Sequence, residues 1–160
     1  MIFVTLGVIL GISVLLMIII IYIFAKHRKK IRMQIEGLAN NTLEMTPEEF
    51  LTMRNSKYGK NGHAKYALSL NFAGVYILYN KTKNMYYVGQ AKQVLNRINA
   101  HFTGKGNGDV YADYKYGDKF TIKAIALENS GYGSLNALER DTIMTFDAFA
   151  KGYNKTRGNR

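Results

Sequence analysis

Apolar residues are spread along this chain in two different ways. From Ile2 to Ala25 (IFVTLGVILGISVLLMIIIIYIFA) they form a run of 24 residues without a charged side chain. Beyond it they come in short periodic groups separated by polar, glycine-containing stretches. The first pattern predicts a single transmembrane helix over residues 1–25. At ~1.5 Å rise per residue it would be about 36 Å long, against a hydrocarbon core of roughly 30 Å. The run is longer than the apolar core of a secretory leader, no basic residue precedes it, and it exits into Lys26-His27-Arg28-Lys29-Lys30-Ile31-Arg32. The positive-inside rule then puts the N-terminus outside the cell membrane and the rest of the chain in the cytoplasm. Tyr22 and the basic cluster fall where interfacial anchors belong, and the cluster favours anionic lipid. Gly7 and Gly11, flanked by Thr5 and Ser13, offer a small-residue face for helix-mediated self-association.

The second pattern begins after a basic juxtamembrane linker with a short helix, residues 26–71. Residues 31–45 prolong the first helix until Gly37 and Asn40-Asn41 break it. Thr46-Pro47-Glu48-Glu49 is a helix start: Thr46 caps, Pro47 suits the first helical position and Glu49 completes a capping box. Residues 56–65 (SKYGKNGHAK) read as loop, with His63 an exposed loop histidine. Gly74-Val75-Tyr76-Ile77-Leu78-Tyr79 and Met85-Tyr86-Tyr87-Val88-Gly89 are β-rich runs around the turn Lys81-Thr82-Lys83-Asn84, an antiparallel hairpin. Val94, Leu95, Ile98 and Phe102 recur at helical spacing, with Arg97 and His101 four apart on another stripe. Residues 120–127 alternate as a third strand. Leu135, Leu138, Thr142, Phe146 and Phe149 mark a last amphipathic helix, with Glu139 beside its apolar stripe. The order β-β-α-β-α over residues 72–160 predicts an α+β domain, a small three-stranded antiparallel sheet flanked by helices.

Composition narrows the function. The absence of cysteine excludes a disulfide scaffold, a Cys-based zinc finger and an iron–sulfur cluster. Net charge is +11, and residues 72–160 alone carry 13 Lys+Arg against 7 Asp+Glu, which points to a polyanionic partner. Among reactive groups the 12 tyrosines stand out, several of them on the hairpin. A strand tyrosine ordinarily packs, an isolated helical arginine is ordinarily solvated, and a carboxylate beside an apolar stripe ordinarily rims it. The combination carries the chemistry. Gly104-Lys105-Gly106-Asn107-Gly108-Asp109 lacks the spacing and ending of a phosphate loop, and reads as a flexible loop bordering a substrate groove.

Gly74-Val75-Tyr76, ten residues, then Tyr87-Val88-Gly89 resembles the paired signature of the GIY-YIG endonuclease family. Arg97 stands ten residues after Tyr87, where the family has its essential arginine, and His101 follows one helical turn later. Glu139 resembles the family's metal-binding glutamate, and Asn154 its C-terminal asparagine. The resemblance covers residues 72 to about 158 and implies phosphodiester hydrolysis of DNA with one divalent ion, Mg²⁺ or Mn²⁺, at Glu139, and no small-molecule cofactor. It implies that Arg97 neutralises phosphoryl charge, that Tyr87 is the general base with Tyr76 orienting water, that His101 assists proton transfer through a near-neutral pKa, and that Asn154 holds the C-terminal segment against the site. Where some relatives, including the repair excinuclease subunit, carry a lysine after the second motif, this chain has Gln90.

The expected function is therefore a membrane-anchored, metal-dependent endonuclease acting on DNA at the membrane, incoming foreign DNA included. The alternative from another class is a catalytically inactive, membrane-tethered nucleic-acid-binding module, which basic charge supports equally. Glu139 discriminates, because a module that only binds has no use for a carboxylate facing phosphate. No helix-turn-helix or zinc finger accompanies the domain, so sequence-specific cutting is not expected unless a partner supplies the address.

Overall fold

The computed structural model describes residues 2–58, 65–66 and 70–158, and it divides into two compact units, Met1–Gln34 and Ile35–Arg160. Helix α1 (Ile2–Asn40) is continuous, and it is long and apolar enough to cross a membrane. All its side chains from residue 11 to 30 are exposed, including the unbroken apolar stretch from Val14 to Phe24. Nothing lies within 4 Å of the place a Cβ would take on Gly11; the surroundings of Gly7 fall outside the described residues.

The expected break at Gly37 does not occur. The helix runs through it and stops at Asn40, where Asn41 N–H bonds back to Gly37 O. A helical glycine costs about 1 kcal/mol relative to alanine. Burial of Ile35 and Ala39, which are essentially inaccessible within the second unit, offsets that cost.

The second unit is built on the sheet β4–β3–β5, with β3 (Gly74–Asn80) between β4 (Met85–Ala91) and β5 (Phe120–Ala126), all antiparallel. It is the three-stranded sheet flanked by helices that the sequence predicts. Alternation sends Tyr76 and Leu78 to one face. They join a core with Phe50 of α2 (Pro47–Asn55), with Val94, Leu95, Ile98 and Phe102 of α3 (Val94–Phe102), and with Val110 of α4 (Gly108–Lys115). On the other side α5 (Leu135–Thr145) packs on β4 and β3 and buries Leu138, Thr142 and Ile143. The central strand is thus covered on both faces, which is why Val75, Tyr76, Ile77 and Leu78 are all buried in succession.

The capping box at α2 is present in both directions: Thr46 Oγ1 accepts from Glu49 N–H, and the Glu49 carboxylate accepts from Thr46 N–H. Met45 makes an antiparallel bridge with Ile122 of β5.

Three local expectations are revised. Residues 56–65 are not all loop, since β1 (Lys57–Tyr58) pairs with β2 (Lys65–Tyr66); His63 lies outside the described residues. Helix α4 was not expected, because Val110 is its only buried position and gives no periodic signal. Helix α5 ends at Thr145, so Phe146 caps it and Phe149 lies beyond; Asp147, at φ 51, turns the chain back.

Candidate active site

Register across β3 and β4 sets the geometry. Tyr76 stands opposite Gly89, and a Cβ on Gly89 would collide with the Tyr76 hydroxyl. The glycine of the second motif therefore makes room for the tyrosine of the first. Gly74 is needed for a similar reason, since a Cβ there would strike the Ile125 carbonyl oxygen of β5.

The Tyr76 hydroxyl is buried, 2.9 Å from Nε2 of His101, which is itself inaccessible. Nδ1 of His101 accepts a hydrogen bond from Asn107 N–H at 2.9 Å. A nitrogen that accepts cannot also carry the proton, so the neutral ring bears its hydrogen on Nε2 and donates it to Tyr76. Gly106 lies flat against the same ring, and a Cβ there would come within 2.6 Å of Nδ1. The glycine-rich segment thus clamps the histidine rather than simply bordering a groove. Burial, then the positive charge of Arg97, lowers the His101 pKa to about 4. The expected near-neutral titration is revised: at physiological pH His101 is a fixed, uncharged donor.

Tyr87 completes an aromatic cluster, its ring centroid 4.9 Å from His101 and 6.1 Å from Tyr76. Its surroundings differ from those of Tyr76, for Tyr87 is half-buried. Burial drives the Tyr76 phenol far above its ordinary range, with Tyr87 adding to the rise and Arg97 opposing it. Arg97 lies on the exposed side of α3. Partial burial lowers its pKa, but hydrogen bonding and charge attraction to the Tyr76 and Tyr87 hydroxyls outweigh this and leave it raised.

Glu139 projects from the second turn of α5 and is 8% exposed. Its Oε2 accepts from Gln90 Nε2 at 2.9 Å, and the same nitrogen donates to Asn136 Oδ1 at 2.8 Å. Asn154 spans the backbone of β4: its Oδ1 accepts from Val88 N–H at 2.9 Å and its Nδ2 donates to Val88 O at 2.7 Å. Tyr153 N–H adds a bond to Tyr86 O, and a Cβ on Gly152 would collide with that same oxygen.

Tyr87, Glu139 and Asn154 line one cavity of about 220 Å³, bordered also by Asn107, Tyr153 and Lys155. Tyr76 and His101 do not line it; they pack against the Tyr87 ring. Arg97 also stands outside its walls, beside the two hydroxyls. A larger cavity of about 550 Å³, with Lys81, Lys115 and Lys119 at its border, contains none of the six residues.

The donor set suits a hard, partly hydrated cation. Mg²⁺ is commonly held by one or two carboxylates plus water and substrate phosphate, and a single oriented carboxylate on a cavity wall meets that requirement. Among the described residues no three His, Asp or Glu side chains cluster as an all-protein metal cage.

Gln90, Asn136 and Asn107 were not singled out from sequence as working residues. A signal existed for two of them: Asn136 is three residues before Glu139 on one helix face, and Asn107 caps α4, its side chain accepting from Val110 N–H.

A family model described as the GIY-YIG catalytic domain matches residues 72–154, just over half of the chain. Comparison with curated proteins and with solved structures gave no match.

Proposed function

The chain belongs to the GIY-YIG family, whose domain is that of a nuclease, and on that premise we propose that it is a membrane-anchored, divalent-metal-dependent endonuclease that hydrolyses DNA. Residues 1–25 are the transmembrane anchor with its N-terminus outside, residues 26–71 the basic linker, and residues 72–160 the cytoplasmic nuclease domain. DNA reaching the membrane, foreign DNA on entry included, is its substrate. The observation that carries this reading is the sharing of one cavity by Tyr87, Glu139 and Asn154 beside the buried Tyr76–His101 pair.

Glu139 would hold Mg²⁺ or Mn²⁺. When bound, such an ion polarises the scissile phosphate and favours departure of the 3′ oxygen. The remaining work falls to side chains of this chain. Tyr87 faces the cavity, and its hydroxyl oxygen takes the proton from the attacking water as its own proton passes to solvent, while Arg97 presents a planar cation that disperses charge gathering on the phosphoryl oxygens. Tyr76, buried and held by the His101 Nε2–H, keeps its own proton directed outward and fixes the ring of Tyr87 in place. Asn154 ties the C-terminal segment to β4, and so keeps that wall of the cavity closed.

The test is cleavage of plasmid DNA by the full-length protein in detergent micelles, with Mg²⁺ or with EDTA. Cutting that requires Mg²⁺ is expected. DNA binding without cutting would favour the inactive module, and cutting in EDTA would sink the metal assignment.

A further inference from the structure

We propose that Gln90 is a positioning residue for Glu139: its amide, held also by Asn136, aims the carboxylate at the cavity without cancelling its charge. This rests on the reading of Glu139 as the metal ligand.

Gln90 lies in β4 directly after the second motif, and Asn136 and Glu139 are three apart on α5, so one face of the helix presents both to the strand. The Nε2 of Gln90 has two protons and uses one for each partner, at 2.8 and 2.9 Å. Both partners are acceptors. Turning the amide over would set its oxygen against Glu139 Oε2, and an ionised carboxylate only accepts, so the N–H end is the one that meets it, with Asn136 Oδ1 taking the second proton. Glu139 is 8% exposed, so this hydrogen bond is poorly contested by water.

The charge of the donor matters as much as its position. A neutral N–H orients a carboxylate and leaves its full negative charge for a divalent cation. A lysine at the same place would meet that oxygen with a positive charge and compete with the metal. Groups that orient a metal ligand in this way are typically worth about 10–100-fold in metal affinity.

The test is Mn²⁺ binding to the full-length protein in detergent micelles without DNA, read by the electron paramagnetic resonance signal of free Mn²⁺. Gln90→Leu should weaken binding about 10–100-fold, Asn136→Ala should weaken it less, and Gln90→Lys should also weaken it through charge. In cleavage assays the Mn²⁺ concentration giving half-maximal rate should rise with the dissociation constant, by more than the rate at saturating Mn²⁺ falls. A purely structural role would lower the rate without moving the metal requirement. Glu139→Gln is the control. If it loses Mn²⁺ while Gln90→Leu binds as wild type, the positioning role is wrong and the metal site stands. If Glu139→Gln binds as wild type, the metal site itself is wrong and the inference goes with it. Should Gln90→Leu lose its thermal transition, Asn136→Ala decides on the same readout, and unchanged affinity there overturns the proposal.

Discussion

At one end of β3, Asn80 is inaccessible and makes four hydrogen bonds. Its oxygen accepts from Thr82 and Lys83 N–H, and its nitrogen donates to Asp118 and to the Tyr153 hydroxyl. Tyr153 donates in turn to Asp113, which Lys83 pairs at 2.6 Å. Burial pushes the Asp113 carboxyl up, and the bonds from Lys83 and Tyr153 more than reverse it, leaving its pKa lowered. At the other end, Tyr76 and His101 are equally buried and both ring nitrogens are engaged, yet the cluster continues through Tyr87 to a cavity. The first network spends its polar atoms on one another, even where Tyr153 and Asp118 also border cavities, so it holds structure together. The second is closed on every side but one, and the open side is where a substrate can be met. Burial and hydrogen bonding alone do not separate the two, and neither does reaching the cavity, since the Tyr153 hydroxyl that borders it is already bonded to Asn80 and Asp113.

Substitutions should separate the two ends cleanly. The largest effect is expected at Glu139→Ala, which should abolish cleavage in a single-turnover assay while leaving thermal stability and DNA binding close to wild type. Tyr87→Phe keeps the ring and removes the hydroxyl, and should slow the chemical step by about 10²–10⁴-fold, the usual contribution of a general base. Tyr76→Phe should cost less, because that hydroxyl is buried and only positions. The reverse order of these two rates would transfer the role of base to Tyr76. Asn80→Ala should do the opposite of Glu139→Ala, destabilising the fold by about 2–4 kcal/mol through lost and orphaned hydrogen bonds. The rate per folded molecule should stay as in wild type, and a fall in that rate would show the two ends to be coupled.

The smallest effect concerns pH. Folded His101 has a pKa of about 4, below the roughly 6.5 of an unfolded histidine. Between those values the unfolded chain binds a proton that the folded chain excludes. The stability gained from keeping this ring neutral is therefore complete above pH about 6.5 and is lost as pH falls towards 4. The melting temperature of wild type should drop across that window, and His101→Gln should show a shallower drop. Equal slopes would mean that His101 is not held neutral.

Much of this was legible in the residue string. The hairpin of β3 and β4 was readable because both strands are β-rich and a polar four-residue segment separates them. The α2 cap was readable because a capping box is a local device. Tyr76, Tyr87, Arg97 and His101 were joined into one site by the family resemblance, the residues alone giving only tyrosines on a hairpin and an Arg97–His101 stripe on the helix after it. What stayed hidden depended on distant partners. The Gly106 and Asn107 clamp converts a histidine of ordinary chemistry into a fixed donor, and no spacing rule reveals that a backbone N–H will occupy Nδ1. Gln90 looked like a substitution of a charged residue by a neutral one. Only the approach of α5 to β4 shows it reaching the carboxylate. Passage of α1 through Gly37 was hidden for the same reason, since propensity argued for a stop and tertiary burial decided otherwise.

The bonds from Asn154 and Met45 have a bearing on solubility. A three-stranded sheet has two bare margins, and unpaired strand margins invite identical chains to add on, strand to strand, into polymers. Here Asn154 occupies the outward N–H and C=O of Val88 on β4, and Met45 occupies those of Ile122 on β5. The β5 margin is blocked by Met45 and the β4 margin by Asn154 with Tyr153 beside it on Tyr86 O, and a second copy would have to break at least two bonds at either. On the proposed reading of α1 as a membrane anchor, which would hold many copies in one plane, that protection opposes strand-to-strand growth between neighbours.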